Sequence, residues 1–214
     1  MNRFYRFILL IIGTLISSGG CQQQGKMADI THPPVVTEKD KPYANVYSML
    51  DGVWEGTFYI YEDSTGQQPG IPKPADLDST VFTHLPLRLV QTIRVHQEYH
   101  SETPYFQRVK IIDRYPDNSG REKVSESYGV NKVQNGKLWC VVQKPDELVV
   151  HHGKLADPHT IIWQRSLRKP QRIEYFRETV TDSTYRILGW GYYGNDDPSL
   201  TPKTWFYGDY KRKQ

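Results

Sequence analysis

From Leu87 to His100 the chain alternates without a break. Leu87, Leu89, Gln91, Ile93, Val95, Gln97 and Tyr99 occupy one parity; Arg88, Val90, Thr92, Arg94, His96, Glu98 and His100 occupy the other. Successive side chains of a strand point to opposite faces, so a period of two over this length is a long strand with one mainly apolar face. Such a face must lie on a core, and the remaining segments say what kind. Val53–Tyr61, Tyr105–Tyr115, Val124–Val133, Lys137–Gln143, Glu147–His152, Thr160–Ser166, Arg172–Val180, Thr184–Tyr193 and Lys203–Lys211 are also rich in β-branched and aromatic residues. Asn135-Gly136 between two of them is the strongest hairpin signal, because a type I′ turn needs positive φ at both central positions. No long amphipathic helix interrupts the series, which excludes βαβ units. About ten strands in one antiparallel meander would expose two edges, and closing the sheet into a barrel removes both. The expectation is an all-β barrel, with a β-sandwich or open twisted sheet as the alternative.

The first twenty residues are of a different kind. Arg3 and Arg6 precede an apolar run from Phe7 to Ile16, then small residues to Gly20. These are the parts of a secretory signal. The run is too short for a spanning helix, which needs about 20 residues. Ser18-Gly19-Gly20-Cys21 resembles the lipobox of bacterial lipoproteins, and the resemblance implies cleavage before Cys21 and lipid on its sulfur. Two or three acyl chains, at roughly 0.8 kcal/mol per buried methylene, hold a protein firmly on a bilayer. Gln22 after the cysteine implies, by the same resemblance, the outer membrane of a two-membrane envelope. The expected organisation is a signal at 1–20, the lipidated cysteine and a polar, proline-bearing tether at 21–42, and the β-domain at 43–214. Without residues 1–20 the count falls to 25 basic against 24 acidic side chains. A domain so near neutrality has no electrostatic footprint for nucleic acid. Cys140, alone in the apolar run Leu138–Val142, reads as a buried, inert thiol.

Gly52-Val53-Trp54 opens the first strand, a short helical turn (44–50) precedes it, and Lys211-Arg212 ends the last one. This set resembles the Gly-x-Trp signature of the lipocalin and fatty-acid-binding (calycin) barrels. The resemblance implies that Gly52, Trp54 and Arg212 close one end, with the arginine packed over the indole. It also implies that the long segment Glu62–Pro86 sits at the barrel mouth as a lid.

On the face of Leu87, Ile93 and Val95 lie Gln91 and Gln97, and Gln107 shares the face of Val109 and Ile111. An unpaired buried amide costs about 1–3 kcal/mol. Several on one apolar face therefore suggest a cavity holding water or a ligand, with Tyr99 and Tyr105 as aromatic lining. Mutual hydrogen bonding is the competing explanation. His96-Gln97-Glu98-Tyr99-His100 differs from a zinc-protease motif in order, and on a strand its two histidines stand about 13 Å apart. No metal or other cofactor is expected. Glu55, Asp113, Glu126, Glu174 and Glu178 read as solvated strand acids. Trp190, Tyr192, Tyr193, Trp205, Phe206, Tyr207 and Tyr210 crowd the last two strands, as core or as a stacking surface.

These readings converge on an exported, membrane-tethered, non-catalytic binder of a small apolar or amphipathic ligand. The alternatives are a calycin-like enzyme of isomerase or lyase type and an envelope interaction module without a pocket.

Overall fold

The structure is a computed structural model that describes residues 25–70, 76–117, 119–169 and 171–213. The signal and Cys21 lie outside the described residues. Ten strands follow in order: β1 (Gly52–Asp63), β2 (Leu87–Thr103), β3 (Phe106–Pro116), β4 (Glu122–Gln134), β5 (Lys137–Gln143), β6 (Leu148–Asp157), β7 (Thr160–Arg168), β8 (Gln171–Val180), β9 (Thr184–Tyr193) and β10 (Thr204–Arg212). Each pairs antiparallel with its sequence neighbours, and β10 returns to β1, from Trp54 opposite Arg212 to Glu62 opposite Thr204. The sheet is a closed barrel, so neither edge is left unpaired. The β4–β5 connection is the two-residue turn expected of Asn135-Gly136, with φ of 57° and 68°.

The long alternation of β2 is interrupted in space. Ile60 pairs with Gln91, but the next residue, Tyr61, pairs with Leu89, so Val90 is an extra residue. A bulge of one residue moves everything beyond it to the other face. Ile93, Val95, Gln97 and Tyr99 point into the barrel, as expected. Leu87 and Leu89 do not: Leu87 packs on the outer wall and Leu89 is 50% exposed.

The two ends differ. At one end, two 3₁₀ turns (Lys41–Tyr43 and Ser48–Leu50) fold across the opening, in place of the single helical turn expected over 44–50. Tyr47 stacks on Trp163, donates to the Lys132 carbonyl at 2.9 Å and accepts from the Trp139 amide at 3.3 Å. Trp54 is fully buried and donates to the Leu50 carbonyl at 2.7 Å. The Arg212 guanidinium lies 4.2 Å from the Trp54 ring centroid. It also donates to the carbonyls of Met49, Asp51 and Asp182. Gly52 has φ of +112°, and a Cβ there would meet Arg212 Nη1 at 2.9 Å. This end is a plug built around one cation.

The segment between β1 and β2 departs from expectation. Among the described residues none of it lines the barrel interior. It leaves and returns at the open rim but folds back along the outer wall. Leu77, Phe82 and Leu85 pack there on Trp190, Tyr192, Trp205 and Tyr207, forming a second core outside the barrel. A short helix, α1 (Val81–His84), lies within it. The reason is apolar area. β8–β10 carry large side chains on both faces, and burying each outer one stabilises by about 1.5–3 kcal/mol.

The described part of the expected tether is also docked. Lys132, which faces outward and is buried, donates to the carbonyls of Lys26 and Asp29 at 2.8 Å each. Arg108 donates to the carbonyls of Ile30 and Thr31, and Ile30 covers Phe106, Val130 and Val141. Asp40, also buried, accepts from the Gly136 amide at 2.7 Å. A polar, proline-bearing stretch looks free in sequence, but here it caps an apolar patch and a buried amine.

Candidate functional site

The barrel encloses a cavity of about 360 Å³. That lies within the roughly 300–1,000 Å³ of small-molecule sites. Its walls are unlike each other. Phe58 and Ile60 of β1, Ile93 and Val95 of β2, Val109 and Ile111 of β3, Ile187 of β9 and Phe206 of β10 form an apolar arc. Opposite them stand Lys144 and Glu147 of the β5–β6 turn, His151 of β6, Arg165 of β7 and Arg172 and Glu174 of β8.

The polar wall is wired internally. Arg165 contacts Glu147 and lies 3.5 Å from Glu174, while Arg172 reaches Glu147 at 2.7 Å. Tyr193 donates to Glu174 at 2.8 Å. Burial alone would raise the Glu174 pKa, but His151, Tyr193 and Arg165 outweigh it and hold the carboxyl at about 2. His151 Nε2 is 3.3 Å from Glu174 but lacks hydrogen-bond geometry. Burial lowers the His151 pKa, so the ring is neutral near pH 7.

The floor, above the Trp54 plug, has another character. Glu178 accepts from the Trp163 indole at 2.8 Å, with the Tyr185 hydroxyl nearby. Burial pushes its carboxyl up to about 7, against the pull of Trp163 and Tyr185. Tyr99, Tyr210 and Cys140 also line the floor. Burial raises the pKa of each, so all three stay protonated. Cys140 is thus a neutral thiol facing the cavity.

The five residues expected to line a ligand site divide. Gln97 and Tyr99 line the cavity, joined by a 3.1 Å hydrogen bond. Gln91 keeps the inward register, opposite Ile60, but is not part of the lining. Gln107 is fully buried and donates to the Tyr47 carbonyl and Asp51 at 2.8 and 2.9 Å. Tyr105 packs beneath the plug against the Tyr47 cluster. Those two side chains belong to the closed end, because the turns before β1 reach down and engage them.

The acids expected to be solvated also divide. Glu55 and Glu126 are outside, in ion pairs with Lys213 and Lys110. Asp113, Glu174 and Glu178 face the cavity. Alternation in Arg172–Val180 places Glu174, Phe176 and Glu178 on one face and Ile173 and Tyr175 on the other. The apolar pair is the more natural inner face by sequence, yet it packs on the outer core. His151 and His152 face opposite sides, as adjacent strand residues must, and His96 lies outside between Glu55 and Glu98. The crowded C-terminal aromatics serve both faces: Tyr193, Phe206 and Tyr210 line the cavity, while Trp190, Tyr192, Trp205 and Tyr207 form the outer core.

Among the described residues, two buried polar atoms of the lining, Ser127 Oγ and Asn131 Oδ1, make no hydrogen bond, and His151 Nε2 has only its ion-pair approach to Glu174. Buried polar groups are otherwise nearly always paired.

No family model matches the chain, and no curated protein matches it. Designed barrels are among the similar solved structures. A redesigned β-barrel is 12% identical over 80% of this chain and 97% of its own, with a TM-score of 0.36. A redesigned β-barrel bound to DFHBI is 13% identical over 77% and 99%, with a TM-score of 0.34. A de novo fluorescence-activating β-barrel is 13% identical over 79% and 98%, with a TM-score of 0.34. Likeness of this degree carries no information about activity or ligand.

Proposed function

We propose that this protein is an exported, lipid-anchored carrier that holds one small amphipathic molecule inside its barrel. The observation that carries the binding reading is the divided cavity of about 360 Å³, apolar on one arc and charged on the other. A wholly apolar ligand would leave the polar wall unsolvated, and a wholly polar one would strand the apolar arc; each mismatch costs free energy. Ser127 and Asn131 add buried polar atoms of the lining that make no hydrogen bond within the protein. The export and anchoring parts rest on residues 1–21 of the sequence, through the apolar run and Cys21.

Native mass spectrometry of residues 22–214 tests the binding reading. A retained mass in the wild type, lost on Ile111→Trp, is the expected result. Ile111 lines the apolar arc, so a larger side chain there competes for the same space. A clean apo mass, together with no binding across an amphiphile panel, would refute it.

Glu178 favours a second reading. A carboxyl poised near neutrality is suited to general acid–base chemistry. Turnover of the retained molecule, with a rate that Glu178→Gln abolishes, would replace carrier by enzyme.

A further inference from the structure

The strongest unassigned feature of the cavity is the hydrogen-bond polarity of its floor. Gln107 meets two acceptors, the Tyr47 carbonyl and the Asp51 carboxylate, and so presents its NH₂ to both. Its Oε1 is thereby turned to Asn131, which must answer with its own NH₂ at 2.8 Å. Asn131 Oδ1 is what remains, in a residue only 3% exposed that lines the cavity. The closure of the barrel thus fixes an unpaired acceptor at the floor.

Glu178 supplies a second acceptor. Its donor, Trp163, is neutral, and among the described residues no lysine or arginine pairs with it. The lining as a whole holds three cationic side chains, Lys144, Arg165 and Arg172, against four carboxyls, Asp113, Glu147, Glu174 and Glu178. Both arginines are already held by Glu147 and Glu174 on the polar wall. A carboxylate-headed ligand would therefore find both arginines occupied, only the exposed Lys144 at the mouth without a carboxylate partner among the described residues, and an acceptor-lined floor below. An ammonium head would find free acceptors and aromatic rings, among them Phe176 and Trp163, whose faces attract cations.

Building on the carrier reading, we infer that the floor at Glu178 and Asn131 receives a cationic hydrogen-bond donor, so that the protein selects amine-headed amphiphiles over carboxylate-headed ones. The apolar tail lies along Phe58, Ile111 and Phe206. The titratable groups that face Glu178 from the neighbouring strands are Tyr99, Cys140, Tyr185 and Tyr210, all held neutral by burial. Glu174 shares its strand and His151 packs over Phe176; one is fixed as a carboxylate and the other as a neutral ring at pH 7–8. Ionisation of Glu178 at about 7 is then the step that admits the amine.

The test is calorimetric titration of residues 22–214, which hold every strand of the closed barrel and the docked 26–40 segment, with decylamine, decanol and decanoate at pH 8. Decylamine is expected to bind at least about tenfold tighter than decanoate, the scale of one charge-assisted contact. Glu178→Gln should remove most of that preference for the amine. In the wild type the amine-to-alcohol ratio should fall as pH drops below the Glu178 pKa of about 7, a readout that needs no variant. Binding of decanol with no preference for the amine, or tighter binding of decanoate, would overturn the inference and leave the carrier reading standing. Failure of all three to bind would remove both.

Discussion

Replacing Glu178 by Gln should stabilise this protein, and only at higher pH. The amide keeps an oxygen for the Trp163 indole, 2.8 Å away in the wild type. What it removes is a part-buried acid of the cavity floor whose pKa is raised from 4.5 to about 7. The sign follows from proton counting. Between those two values the unfolded chain has lost the proton and the folded protein keeps it, so unfolding releases a proton and stability falls as pH rises. Below about 4.5 neither state is ionised and the group costs nothing; above about 7 both are ionised and the penalty is complete. Each pKa unit is worth about 1.4 kcal/mol, so the full span from 4.5 to about 7 approaches about 3.5 kcal/mol. Contact with cavity water reduces this towards about 2 kcal/mol. The assay is urea denaturation of wild type and variant at pH 4 and pH 8, followed by tryptophan fluorescence. The difference between the two proteins should grow by about 2–3 kcal/mol in favour of the variant from the lower to the higher pH. Taking differences cancels the other titrating groups. An offset unchanged between the two pH values would refute the placement of Glu178 in a desolvated floor.

Glu174→Gln should act in the opposite direction, because its carboxyl is held at about 2. The variant leaves Arg165 with one buried partner fewer and should lose roughly 2–4 kcal/mol at pH 7, a loss that shrinks as pH falls from 4.5 towards 2 in the same denaturation assay. Gly52→Ala forces a side chain into positive φ and against Arg212, and should cost about 2 kcal/mol by chemical denaturation. Lys132→Met should loosen the docked 26–31 segment, read as faster proteolytic clipping before residue 32 with the barrel left intact. Cys21→Ala should move the protein from the membrane pellet to the soluble fraction and remove any lipid mass; a variant that still pellets would refute the anchor.

The strands were legible because each has local causes. Alternation in Leu87–Tyr99, β-rich runs of similar length and the Asn135-Gly136 turn act within a few residues, and all ten elements appear where they indicate. Closure was legible too, since ten consecutive antiparallel strands leave edges that only a barrel removes. The glutamines were a fair pointer to a cavity, but only Gln97 of the three lines it. Gln107 was lost to the plug because its partners, Tyr47 and Asp51, arrive from about 60 residues away.

The polar wall escaped the sequence for a related reason. β8 is amphipathic in the wrong sense for a simple barrel, with Glu174 and Glu178 inward and Ile173 and Tyr175 outward. That inversion is stable only because Leu77, Phe82 and Leu85 fold back over the outer wall. Which face of a strand is the inside depends on what covers each face, and covering is a long-range fact. The sequence by itself therefore determined the strands, their order and the closed ring, all of which follow from short-range periodicity and edge pairing. Tertiary structure alone decided which side chains meet in the lumen, through one extra residue at Val90, an insert that covers an outer apolar core and a plug that claims Gln107.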